Sequence, residues 1–299
     1  MWAINELGYH PSRVARRLRM EATTILGLVI SDIANPFFPS VARGIEDVAY
    51  DNNYSLLLCN TDENPAKEAL YVRVLLAEKV AGVIISPTDE NSTTCQVLIE
   101  SGIPVVTMDR RLPRLAVDTV IVDNVQGAYQ AVSHLINLGH RSIALIGGPA
   151  HITTGRERQE GYTKALKDHG LAIDEGMIKV GDFKQESGYQ RARELLEMTS
   201  PPTAIFAANN LMTLGALNAI HERGLDIPGD IAIIGFDDMP WATSLRPSLT
   251  VVSQPTYELG RIAAELLLAR ISDKNRPIQE VKLEATLIMR QSCGCKAQG

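Results

Sequence analysis

Seven places in this sequence set a polar or aromatic side chain at the end of an apolar run. Asn35, Phe37 and Phe38 follow the run at 24–30, and Asp109 and Arg110 follow 103–108. Arg156 and Arg158 follow 141–149 and its loop, and Phe183 ends 177–183. Asn209 ends 203–209, Asp237 follows 230–236 and Gln254 follows 249–253. Asp, Asn, Arg and Gln carry planar groups that bridge adjacent hydroxyls in pairs. Aromatic faces cover the C–H faces of a ring by apolar contact. Together they describe a site for a neutral, polyhydroxylated, ring-shaped ligand. A phosphate site calls for a glycine-rich loop or a P-loop lysine, and the Gly147-Gly148-Pro149 stretch lacks that spacing. Each residue also has a plainer reading. Phe37 and Phe38 could plug a core, an Asp at a strand end or Asn209 could cap a helix, and Arg110 could make a surface ion pair. Seven separate explanations of that kind are a poorer account than one shared rim.

Common placement requires elements that deliver every run to the same side. Short β-branched runs read as strands at 24–30, 54–60, 80–86, 103–109 and 118–124. The runs at 141–148, 177–183, 203–209, 230–238 and 249–255 read the same way, with two short strands near 280–285 and 287–292. Between them, apolar residues recur at helical spacing over 38–53, 64–79, 93–102, 125–140, 156–170, 185–198, 211–224 and 257–272. Strict alternation predicts α/β architecture with parallel sheets covered on both faces. So many strands exceed one comfortable open sheet and predict two doubly wound lobes joined by a hinge. The expected division is 23–140 with 255–283 in the first lobe and 141–254 with 284–291 in the second, followed by a tail at 292–299. In such sheets ligands bind beyond the carboxyl ends of the strands, which is where the seven groups lie.

The chain has 299 residues and a net charge of −6, of which residues 1–20 carry +3 and the rest −9. An acidic body with a basic start is consistent with a polyanion meeting that start, or simply with a solvated basic segment. No run spans a membrane, and the first residues lack the apolar core of a secretory signal, so a cytoplasmic location is expected if they are the true N-terminus. Cys59, Cys95, Cys293 and Cys295 form no regular framework, and the Cys293-Gly-Cys295 pair reads as a tail with reduced thiols. No cofactor or metal is expected. No G-x-S-x-G motif occurs, and most of the six histidines fall on helices or helix ends away from Asp109 and Asp237. An enzymatic role is therefore not the expectation.

The stretches AINELGYHPSRVARRLR and ILGLVISDIANPFF, then LINLGHRSIALIGGP, RERQEGYTKAL, DIPGDIAIIGFDD and LTVVSQP, resemble the lactose-repressor family of transcription regulators in order and spacing. The resemblance covers essentially the whole chain and implies a core like the type I periplasmic sugar-binding proteins. The rim is most similar to that of ribose-binding proteins. It implies effector contacts at Asn35, Phe37, Phe38, Asp109, Arg110, Arg158, Phe183, Asn209, Asp237 and Gln254, and ribose or a similar pentose or hexose as effector. Many relatives have Asn-Asp where this chain has Asn209-Asn210. By the same resemblance, residues 1–22 read as the last headpiece helix and a hinge helix. There Leu18 would wedge into the minor groove, with Ala15, Arg16 and Arg17 beside it. Without DNA that segment is expected to be loosely held. The recognition helix is missing from the sequence, which reads as a truncation or a mis-assigned gene start, so specific operator DNA is expected as a partner of a longer protein. A homodimer with first-lobe helices in its interface is also implied. The alternative is a periplasmic-type sugar-binding protein of a transport system, against which the arginine-rich start argues.

Overall fold

The computed structural model describes residues 23–294. Two six-stranded sheets organise them. In the first lobe the strands are β1 (Ile25–Ile30), β2 (Ser55–Asn60), β3 (Gly82–Ile85), β4 (Val105–Met108), β5 (Asp118–Val122) and β11 (Glu280–Leu283). Their order is β11-β5-β4-β3-β1-β2, all parallel. In the second lobe they are β6 (Ile143–Gly147), β7 (Ile178–Val180), β8 (Ala204–Ala207), β9 (Ala232–Phe236), β10 (Thr250–Ser253) and β12 (Thr286–Ile288). The order there is β12-β10-β9-β8-β6-β7, parallel except for β12 against β10. β1, β3, β4, β5 and β6 are largely or wholly buried, as expected of strands covered on both faces.

The first lobe carries helices α1 (Phe37–Asp51), α2 (Pro65–Glu78), α3 (Thr94–Glu100) and α8 (Thr256–Ser272). The second carries α4 (Asn124–Asn137), α5 (Thr153–Asp168), α6 (Gln185–Leu196) and α7 (Asn210–Glu222). α1 and α8 pack in backbone contact through two glycines. A Cβ on Gly44 would lie 2.1 Å from the Tyr257 carbonyl oxygen, and one on Gly260 2.0 Å from that of Val41. At the far end of α8, Arg270 forks onto the buried Asp118 at 2.9 and 3.1 Å and ties the helix to β5.

The chain crosses between lobes three times: after β5, after β10, and between β11 and β12. The first crossing falls near Asp123 and not at residue 140. α4 turns its buried face, with Ala128, Ala131, Val132 and Leu135, onto α5, β8, β10 and β12 of the second lobe. Three other expectations need correction. α5 begins at Thr153, ahead of the expected 156, because the Thr-Thr-Gly turn already winds into it. β7 is only three residues long, so Phe183 stands beyond its end. Residues 292 and 293 are not a solvated tail. Ser292 Oγ donates to Ile233 O at 2.7 Å and accepts from Thr250 N at 2.8 Å. Cys293 is fully buried, with Thr250 Oγ1 at 3.2 Å and His134 Nε2 at 3.3 Å from its sulfur. Cys59 and Cys95 are buried free thiols. Among the described residues no helix is long and apolar enough to cross a membrane.

Candidate functional site

Three strand ends adopt a backbone conformation that non-glycine residues seldom take. Asp109 after β4, Phe183 after β7 and Asp237 after β9 have φ of 66°, 66° and 76°. Such residues cost on the order of 1–3 kcal/mol each and persist where the surroundings over-determine them. Here the surroundings do so. Asp109 N donates to Val120 O at 2.9 Å and Asp237 N to Val252 O at 2.8 Å, so each continues its sheet before the chain turns. The Phe183 ring lies where a Cβ on Gly148 would sit, so that glycine is the seat of the ring.

All ten sequence-derived effector residues line one cavity of about 30 Å³ between the lobes, together with Asp32, Glu63, Thr154 and Lys184. Arg156 is not among them and instead pairs with Glu90 at 2.8 Å. Phe37 and Phe38 open α1 with their rings edge to face, centroids 5.0 Å apart. The rings belong to the core of the lobe and also border the cavity.

The polar side chains are largely committed before any ligand arrives. Arg110 forks onto Glu63 at 2.6 and 2.7 Å and donates to Pro87 O at 2.9 Å. It therefore makes an ion pair, but a buried one. Arg158 donates through Nε to Asn124 Oδ1 at 2.9 Å and through Nη1 to Ala208 O at 2.6 Å, and lies 3.8 Å over the Phe236 ring. Its Nη2 takes part in neither bond. Asn209 is the cap of α7, accepting from Met212 N at 2.8 Å and donating to Phe183 O at 2.9 Å. Asn35 Oδ1 accepts from Phe37 N at 3.0 Å and, across the cleft, from Asn210 Nδ2 at 2.8 Å. The departure at Asn210 thus has a structural use, because an amide donates there where a carboxylate could only accept. Gln254 donates to Asp237.

On the cavity-lining residues two buried polar atoms make no hydrogen bond, Arg110 Nε, which stands 3.5 Å from Asp109 Oδ2, and Gln254 Oε1. One is a donor and the other an acceptor, both on the cavity wall. Leaving each unmet costs about 1–3 kcal/mol, which a polar ligand would recover. Burial pushes the Asp109 carboxyl up to about 6; Arg110 and Arg158 hold it down in part, while Asp237 and Glu63 push it further. Burial also raises Asp237, against the pull of Arg158 and Gln254. It depresses the Arg158 guanidinium, which Asp237 and Asp109 partly restore. Arg110 loses by burial but is raised on balance by Glu63 and Asp109.

Asp32, Glu63, Thr154, Lys184 and the supporting Asn124 were not in the sequence-derived set. The strand-end rule applied to β2 would have reached Glu63, which stands three residues past it. Asp32 and Lys184 are immediate neighbours of loops already chosen, and Asn124 ends the run at 118–124, where the same rule would have reached it. Among the described residues no group of three or more His, Cys, Asp or Glu could hold a metal ion. Ala15, Arg16, Arg17 and Leu18 lie outside the described residues.

Comparison with known proteins places this geometry. Residues 132–293 match the periplasmic binding protein-like domain. The HTH-type transcriptional repressor PurR of Photobacterium profundum is 35% identical over 292 residues, 97% of this chain and 87% of that protein. A transcriptional regulator CelR in complex with cellobiose superposes with a TM-score of 0.85 at 34% identity, covering 97% of this chain and 88% of that one. A LacI family regulator from Enterococcus faecium with bound ribose gives 0.80 at 33% identity, covering 90% and 98%.

Proposed function

The chain belongs to the lactose-repressor (LacI) family, transcriptional repressors with an effector-binding core, and from that premise we propose that it is a sugar-responsive repressor whose effector is ribose or a similar pentose or hexose. The observation that carries the reading is the cavity. Ten residues of both lobes, most of them at or just beyond strand ends, line it, with a buried donor and a buried acceptor that make no hydrogen bond. Of the three cations on its wall, Arg110 and Lys184 are already in ion pairs, and Arg158 is held by amide oxygens. That arrangement suits a neutral polyol better than an anion. Phe37 and Phe38 on one side and Phe183 on the other would cover the ring faces. The relative solved with ribose, at 33% identity, supports a pentose.

The effector would favour one hinge angle by its differential affinity for the two states, and thereby alter the spacing of two DNA-binding segments in a homodimer. Leu70 and Val74 on α2 and Val97 on α3 are exposed apolar side chains of the first lobe suited to such a pairing. We take the effector as an inducer, the operator as a partner through Ala15–Leu18, the location as cytoplasmic, and the protein as a binder that turns nothing over. A thermal-shift panel of pentoses, hexoses, nucleosides and purine bases tests the effector class. Ribose should raise the melting temperature by linkage. A shift with purines and none with sugars would replace the effector class while leaving the repressor reading intact.

A further inference from the structure

Three consecutive side chains of α5 do three different things. Arg156 reaches across the cleft to Glu90 at 2.8 Å, Glu157 reaches across to Arg111, and Arg158 faces the cavity. Glu157 also accepts from Asn124 Nδ2 at 3.0 Å, and Asn124 Oδ1 accepts from Arg158 Nε at 2.9 Å. A hydrogen-bonded line thus runs from Arg111 of the first lobe through Glu157 and Asn124 to Arg158. Arg111 is further aligned by Glu280 at 3.1 and 3.2 Å, and its backbone N–H lies 3.3 Å from Thr153 Oγ1. Elsewhere on the cleft Lys184 of the second lobe pairs with Asp32 of the first. Three ion pairs of mixed polarity therefore join the lobes around the cavity.

We propose that this charge seam fixes the closed hinge angle and, through Glu157 and Asn124, the setting of Arg158, so that affinity for an uncharged effector depends on the charges of Glu90, Arg111, Arg156 and Glu157, which lie off the cavity wall. The proposal rests on the effector reading above. Its physical basis is the adjacency of Arg156 and Glu157. A slip of one lobe along the other that carried Glu90 toward Glu157, or Arg111 toward Arg156, would oppose like charges, so the seam selects one closure among many. Arg111 and Glu157 are partly buried, with 29% and 15% of their side chains accessible, so their pair is less screened than a surface one. Arg111 and Glu157 are positioning residues, acting on the effector through Arg158.

Glu90 and Arg156 do not line the cavity, which makes them the cleanest pair to exchange. The test is calorimetric titration of D-ribose into the full chain, with amide exchange of residues 86–93 and 150–157 followed in the sugar-free protein. The ribose dissociation constant should rise about three-fold or more between about 0.02 M and 0.5 M NaCl, although the sugar is neutral. Arg156→Glu should raise it about five-fold at low salt and speed exchange at both lips, and the exchange of charges in Glu90→Arg with Arg156→Glu should restore both to within about two-fold. Arg111→Met should weaken binding and flatten the salt dependence. Salt-independent affinity, or a charge exchange that restores nothing, overturns the seam. Should ribose not bind the unaltered chain, the effector reading fails by itself. Lip exchange then decides the seam: faster in the single variant and recovered in the double supports it, and no change overturns it.

Discussion

The Asp109 carboxyl carries two conflicting demands. Burial pushes it up to about 6, while a hydroxyl donor on a ligand needs it ionised. The folded protein holds this proton more tightly than the unfolded chain, whose aspartates titrate near ~3.9. The group's contribution to stability is therefore present at low pH and is lost as pH rises through about 6. Asp109→Asn should accordingly melt higher than the parent at neutral pH, by up to about 2–3 kcal/mol in denaturant titrations, while losing sugar affinity. In the parent, affinity should climb about ten-fold between roughly pH 5 and 7, and calorimetry of the Asn variant should find that climb gone. An unchanged pH profile in the variant would remove Asp109 from the site. Arg158→Ala and Asp237→Ala each leave ligand groups unpaired and should weaken binding by about 2 kcal/mol or more. Unchanged calorimetric affinity in both would sink the assigned site. The rim was legible because strand ends are legible. What the sequence hides is how each side chain divides its bonds. Asn209 lines the cavity and caps α7 at the same time, and Arg110 already holds a carboxylate from the neighbouring loop. Glu63 and Asn124 come into play only when separate loops fold together.

Between elements, the sharpest constraint is the α1–α8 contact. A Cβ on Gly260 meets only backbone, the Val41 carbonyl and the Ile45 amide nitrogen, which cannot rotate away. Gly260→Ala should force the helices apart and cost about 1–3 kcal/mol or more in chemical denaturation, despite the better helix propensity of alanine. A neutral or stabilising result would mean that the helices separate freely. Arg270→Ala strands Asp118, whose side chain is fully buried, and should destabilise the first lobe by about 3–5 kcal/mol. Replacing both partners with apolar groups should recover much of that loss. Alternating strands and helices were readable from periodicity because parallel strands are continuous apolar runs and helices carry a stripe. Lobe membership of α4 was not. Its stripe says that one face is buried, without saying against which sheet, and the helix follows directly on a first-lobe strand. Cys293 escaped for a related reason: its burial comes from pairing beside β9 and β10, far upstream in the chain.

At the scale of the molecule, two sheets with separate helical layers are joined by three crossings and by the walls of one cavity. A ligand held by both walls stabilises both lobes together, since either lobe unfolding alone releases it. At about one hundred times its dissociation constant, such a ligand adds roughly 2.7 kcal/mol. For lobes of this size that is a shift of several degrees, at roughly 2–4 °C per kcal/mol. Calorimetric scans with saturating ribose should therefore move the unfolding of both lobes upward and draw any separate transitions together. Asn35 and Asn210 belong to different lobes yet share one hydrogen bond, so Asn210→Ala should lessen that coupling even with ribose bound. A sugar that shifted one transition and left the other in place would be bound to a single lobe. It could not then act on the angle between them, and a repressor that senses its effector by closure would need another site.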